Sequence, residues 1–275
     1  MDDGGVRTAA LAAVVWAAAA AQTAAGVASL DVGRWPGGVV PLVFDDSVSP
    51  ADRAELRRAA QAWRDALGGD AAPVSFIEST AAAGPHLRVL RVVSPDGANR
   101  CRATLGRSPR AVAPTLYPGE TRAAKPPADA RGLVILSGRC AYRSLVHELG
   151  HVLGLRHEHE RTDRDAWVSI GPLKGRTPDP LLWRNYEKRW SVAGFRPVKT
   201  QAGMAVSGRM LFTRAYDPCS VMQYIEDPAH ARRGVDLRFT ALARRTAAAR
   251  KCPPGGSGGA ISSGDAATVR ALYAR

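Results

Sequence analysis

The stretch His147-Glu148-Leu149-Gly150-His151-Val152-Leu153-Gly154-Leu155-Arg156-His157 holds three of the six His in a chain of 275 residues. From Arg143 to Leu155 the pattern is helical, with Leu145, Leu149, Val152 and Leu153 apolar. On such a helix His147 and His151, four apart, share a face and can bind one metal ion together. Glu148 is rotated by about one hundred degrees from His147, so it points beside the metal, where it can serve as a general base. Gly154 can enter positive φ without steric cost, which lets the helix stop and the chain turn sharply. That turn can bring His157 back to the same ion. Three neutral imidazoles and one open position suit Zn²⁺, one per chain, in a catalytic rather than a structural site. A His-rich surface helix without metal would not require the Glu, the Gly and the apolar spacing to agree.

Outward from this stretch the first half reads as α+β. Val39 to Phe44 is a short apolar run after the turn Trp35-Pro36-Gly37-Gly38 and predicts a first strand. Ser49, Pro50 and Asp52 predict a helix start, and Leu56, Ala60, Trp63 and Leu67 continue it at helical spacing until Gly68-Gly69. Val74 to Ile77, Leu87 to Val93 and Leu133 to Ser137 are further strands, with an irregular edge expected between 99 and 130. After Asp165 the pattern is irregular and rich in Pro, so the second half is expected to be mostly coil with a few helices. Ala266, Val269 and Leu272 mark a closing helix capped by Ser262 or Ser263 after the loop Pro253 to Gly259.

Composition bounds the class. Hydrophobic residues are 45% and charged residues 23%, as in an ordinary globular protein. The net charge is +13, and with Lys only at 125, 174, 188, 199 and 251, Arg supplies 33 of the 38 basic residues. That bias runs along the whole chain without a basic repeat or interleaved aromatics, so no nucleic-acid partner is expected. Residues 8 to 21 are uninterrupted small and apolar side chains. That is the length of a secretory leader core and short for a membrane span. Ala24, Ala25 and Ala28 offer cleavage sites. A leader over 1–28, removed on export, leaves no membrane attachment, while Asp2 and Asp3 beside Arg7 also allow the alternative of an uncleaved anchor. Four Cys, at 101, 140, 219 and 252, fit an exported chain with two disulfides, in any of three pairings.

Past His157 the sequence continues Glu158-His159-Glu160-Arg161-Thr162-Asp163-Arg164-Asp165. The whole run, H-E-x-x-H-x-x-G-x-x-H-E-x-x-R-x-D-R-D, resembles the zinc signature of the astacin family of metzincin endopeptidases. Ser220-Val221-Met222-Gln223-Tyr224 resembles that family's Met-turn, with Gln223 where a His is usual, and Leu155 stands where a Phe is often found. Weaker likeness extends to Trp35–Pro41, Gly264-Asp265 and Tyr273. The resemblance implies a two-lobe metzincin-type fold: an upper lobe (about 29–154) with a twisted mixed sheet and two helices, and a coil-rich lower lobe (about 155–275). It implies that His147, His151 and His157 bind zinc, that Glu148 is the catalytic base, and that Met222 forms a floor beneath the imidazoles. Tyr224 would be a switch residue that stabilises the oxyanion, and Glu158 would meet the N-terminus of the mature chain. Cys101 and Cys140 sit where the family has a disulfide, which leaves Cys219 to pair with Cys252. The run Arg161 to Asp165 reads equally as a solvated charge run or as a paired network.

The expected protein is thus a secreted, monomeric zinc endopeptidase. It hydrolyses peptide bonds of an extended protein or peptide substrate with a metal-activated water and Glu148 as base. Two other readings compete: an exported basic binding protein with a structural zinc site, and a zinc amidase acting on a non-protein amide. A structural site has no need of Glu148.

Overall fold

The computed structural model describes residues 27–29, 32–79, 84–97, 99–122, 129–161, 163–186, 199–201, 204–207, 210–212, 216–226, 231–249, 252 and 259–274. The expected leader up to residue 26 and most of the loop 253–259 lie outside the described residues. In chain order the elements are β1 (Val27–Ser29), β2 (Val39–Phe44), α1 (Pro50–Leu67), β3 (Ser75–Glu78), β4 (His86–Val92), β5 (Arg102–Ala103), β6 (Ala130–Ser137) and α2 (Tyr142–Val152). They continue with β7 (Val168–Pro172), α3 (Pro180–Trp183), β8 (Lys199–Gln201), β9 (Met204–Ser207), β10 (Met210–Phe212), β11 (Val235–Phe239), α4 (Ala241–Ala249) and α5 (Ser263–Tyr273).

The main sheet has the order β3-β2-β4-β6-β5. Parallel pairings join β2 to β3, β2 to β4 and β4 to β6, while β5 runs antiparallel along β6. The sheet is therefore mixed, as expected, and the fold is α+β. Its inner strands are buried on both faces, which is why they read as continuous apolar runs rather than as alternations. One face carries Leu90, Val92, Leu133 and Ile135 against Val112 and Leu116. The other packs under α1 and α2.

α1 begins where Ser49 accepts a hydrogen bond from the Asp52 backbone N–H, and it ends at Gly68 with φ 117°. It buries Leu56, Ala59, Trp63 and Leu67. Trp63 is fully buried, a burial that stabilises by about 1.5–3 kcal/mol, and its indole N–H donates to the Val146 carbonyl of α2 at 2.9 Å. Trp35 does the same from the sheet side, donating to the Val152 carbonyl at 3.1 Å. Two indoles thus fix α2 near its middle and at its end.

The second half carries more strand than coil-rich sequence suggested. β7 pairs antiparallel with β11, and β1, β10, β9 and β8 form a second antiparallel sheet. These strands are short; β8, β9 and β10 pair with sequence neighbours, whereas β1 and β7 find their partners far along the chain. α5 returns to the main core, where Ala266, Val269, Ala271 and Leu272 join the residues of β2, α1 and α2. Both disulfides form, Cys101 with Cys140 and Cys219 with Cys252.

Gly154 closes α2 with φ 102°, and a Cβ placed there would meet Leu272 Cδ2 at 2.8 Å. The backbone conformation strains any side chain there, and the end of Leu272 would have to shift to make room. Gly154→Ala should cost about 1–3 kcal/mol. The melting temperature, read by circular dichroism, should fall by about 2–4 °C for each kcal/mol lost. A variant as stable as the parent would contradict this account of the turn.

Candidate metal centre and cleft

α2 carries His147 and His151 one turn apart, and the Gly154 turn returns the chain to them. The turn is held by Gly154 N–H to His151 O at 2.8 Å and by Leu155 N–H to Gly150 O at 3.0 Å. His157 follows it. The three rings converge, with centroids 4.7 Å apart for His147 and His151, 5.2 Å for His147 and His157, and 4.6 Å for His151 and His157. One nitrogen from each lies within 4.8 Å of the other two.

Each ring is steered by its other nitrogen. His147 Nδ1–H donates to Val221 O at 2.8 Å, and His151 Nδ1–H donates to Leu155 O at 2.8 Å. His157 Nδ1–H donates to Glu160 Oε1 at 3.2 Å. The turn that brings His157 back therefore also supplies the carbonyl that orients His151. With the protons on Nδ1, the Nε2 lone pairs are left for a shared ion. His151 Nε2 and His157 Nε2 face each other at 3.0 Å, and with both Nδ1 atoms protonated a proton or a metal ion between the two lone pairs would hold them there. Burial, followed by the neighbouring His151 and His157, holds His147 well below the ordinary histidine range. Burial and His157 push His151 down to about 3. Neutral rings are the metal-binding form, and the donor set fits one zinc ion.

The floor comes from the Met-turn. Met222 is buried with its sulfur against Gly150, where a Cβ would lie 2.5 Å from Sδ. Asp265 of α5 fixes this turn, accepting from Ser220 Oγ at 2.6 Å and from Val221 N–H at 2.8 Å. It also completes the capping box of its own helix with Ser262. Burial and the Asp217 carboxylate push Asp265 up to about 7, against the hydrogen bonds from Ser220, Val221 and Ser262.

Glu148 is buried, and burial pushes its carboxyl up to about 8, against a hydrogen bond from the Ala103 backbone and the charge of Arg102. A dication in the histidine group would draw it back down. Strand β5 thus reaches the carboxylate beside the metal group. Tyr224, half-buried, has its ring 4.6 Å from that of His157 and 5.9 Å from that of His147. A cleft of about 370 Å³ runs past Asn99, Tyr117, His147, Glu148, Asn185 and Tyr224. Arg100, Arg102, Arg139, Arg143 and Arg233 line it too, and Glu148 is the one carboxylate among its described lining residues.

The fourth histidine of the run is otherwise engaged. His159 Nε2–H donates to Asn185 O at 2.8 Å, and Nδ1 accepts from Tyr224 N–H at 3.3 Å. It carries the opposite tautomer from the other three and sits under Tyr224, with centroids 4.2 Å apart. The charge run beyond it is a paired network. Arg161 is fully buried and donates to Glu158 at 3.1 Å and to Asp163 at 2.9 and 2.8 Å. Arg164 donates to the carbonyls of His159 and Tyr186. Glu158 also accepts from Asp217 N–H at 2.9 Å, while its Oε2 is buried without a hydrogen-bond partner among the described residues. The expected meeting of Glu158 with a chain terminus involves residues outside those described. The sequence alone did not single out Glu160, Asp265 or His159 for the parts they take here. The offsets of Glu160 and His159 from His157 were visible, but their hydrogen bonds were not.

The family model described as Astacin (Peptidase family M12A) matches residues 128–180. Zinc metalloproteinase nas-8 of Caenorhabditis elegans is 25% identical over 215 residues, covering 78% of this chain and 41% of that protein. Nematocyst expressed protein 6 of Nematostella vectensis is 29% identical over 136 residues, covering 50% of this chain and 38% of that protein. The chain therefore spans about two fifths of the length of these relatives. High choriolytic enzyme 1, a hatching enzyme zinc-protease from Oryzias latipes, is similar in fold, with a TM-score of 0.51 at 20% identity. That match covers 88% of this chain and 93% of that one. Over residues 128–180, and in the three-histidine group that its own fold brings together, this chain is similar to the astacin family.

Proposed function

We propose that the protein is an exported zinc endopeptidase that cleaves extended protein or peptide substrates. The observation that carries this reading is the buried carboxylate of Glu148 beside three imidazoles whose Nε2 atoms turn toward one another. A base in that place has no use in a structural site. His147, His151 and His157 would hold the zinc. When bound, the ion polarises a carbonyl and lowers the pKa of water to about 7.

Glu148 accepts the proton of the attacking water and passes it to the leaving amine, first as general base and then as general acid. Its burial suits both roles, since a poorly solvated carboxylate takes up a proton readily near neutral pH. Tyr224 donates its phenol O–H to the oxyanion that develops on the scissile carbonyl, and His159 holds that tyrosine's backbone. β5 ends the main sheet on the cleft side, and its edge is available to an extended peptide, as in strand addition. The arginines around the cleft favour acidic stretches in the substrate. Export follows from the apolar leader together with the two disulfides. Ala28 is fully buried in the main core, so cleavage at Ala24 or Ala25 keeps β1 whole.

Glu148→Gln should keep one zinc per chain by atomic absorption and lose casein hydrolysis by about 10²–10⁴-fold. Zinc retained with full hydrolysis would sink the reading of Glu148 as the base. Tyr224→Phe should lower turnover about tenfold or more and leave zinc content unchanged. Equal turnover in the two proteins would remove Tyr224 from the chemistry.

A further inference from the structure

His157 differs from the other two rings of the metal group in how it is held. His147 and His151 stand on α2 and give Nδ1–H to neutral backbone carbonyls. His157 lies beyond the Gly154 turn, off the helix, and gives Nδ1–H to a carboxylate, Glu160 Oε1, at 3.2 Å. A single 3₁₀ turn over Glu158–Glu160 folds that side chain back over the ring, with Glu160 N–H directed at His157 O at 3.4 Å. Both side chains are nearly closed to solvent, 12% exposed for His157 and 7% for Glu160. The neighbouring acid, Glu158, is engaged with Arg161 and Asp217, so the two carboxylates of the run have separate tasks. Glu160 also falls at a position that the zinc signature leaves open.

We propose that Glu160 is a positioning residue for the metal group: its carboxylate fixes the tautomer and orientation of the His157 ring and tightens that ligand's hold on zinc. The physical basis is general. A carboxylate that accepts the far N–H of a ligating imidazole keeps the proton off the coordinating nitrogen and raises its donor strength. Loss of such a partner typically costs 10–100-fold in metal affinity. A buried carboxylate is costly unless positive charge lies near it; Arg164 contributes some of that charge, and an ion shared by the three rings would add to it. The inference rests on the zinc-peptidase reading given above.

The test uses the full chain as parent, Glu160→Gln and Glu160→Met, each stripped of metal and then titrated with zinc against a chromophoric chelator. The melting temperature of each metal-free protein is measured alongside. Gln keeps the shape and a neutral acceptor, so zinc affinity should fall about tenfold, whereas Met keeps neither and should lose about 100-fold. Glu160→Gln keeps the length and shape of the side chain, so its metal-free melting temperature should stay close to the parent's. Parental zinc affinity in both variants would overturn the proposal. So would a loss in Glu160→Gln that tracks a lower metal-free melting temperature, since that marks packing rather than positioning. If Met does not fold, the isosteric Gln decides alone. A parent that takes up no zinc would bring down the peptidase reading as well, whereas a parent with one tight zinc and unaltered variants would bring down only the role of Glu160.

Discussion

Two imidazole nitrogens facing each other at 3.0 Å, His151 Nε2 and His157 Nε2, impose the constraint around which the molecule is arranged. Each ring must present a lone pair to the same point, so each must give its other nitrogen to a fixed acceptor. Those acceptors come from three places: the Met-turn at Val221, the turn at Leu155 and the side chain of Glu160. Keeping them fixed requires the elements behind them. Trp63 and Trp35 hold α2 by two of its carbonyls, and Asp265 holds the Met-turn from α5. Much of the buried polar chemistry thus converges on the orientation of three rings.

The ionic network beyond the third histidine solves a related problem. Arg161 is completely buried, which for an unpaired guanidinium would be prohibitive. Glu158 and Asp163 compensate it, and the Tyr216 ring lies near its guanidinium at 5.7 Å. Asp217 N–H completes the hydrogen bonding of Glu158 Oε1. The segment after His157 therefore cannot drift, although little of it is regular secondary structure. Paired charges supply there the rigidity that apolar packing supplies around α1, α2 and the main sheet.

Local signals were legible in the sequence, and distant ones were not. Ser49, Pro50 and Gly68 marked α1 at the ends it has, and Ser262 is the one of the two expected serines that caps α5. The apolar runs gave β2, β3, β4 and β6 to within a few residues, because parallel strands buried on both faces are continuous in composition. The offsets of His147, His151 and His157 gave the metal group, since helix geometry and one glycine turn suffice to bring them together. β7 and β11 pair across more than sixty residues, and β1 finds its partner only at Met210–Phe212. Nothing in three to five residues of composition encodes such a pairing. The charge run after His157 was ambiguous for the same reason: Arg161 resolves as buried through Asp217 and Tyr216, which are remote in sequence.

The carboxylate of Asp265 that fixes the Met-turn belongs to α5, long after the histidines in chain order. During synthesis the three rings therefore emerge from the ribosome well before the group that sets the surface beneath them. The surface beneath the rings is complete only once α5 has docked on the core. A polypeptide truncated before α5 holds the signature without that support.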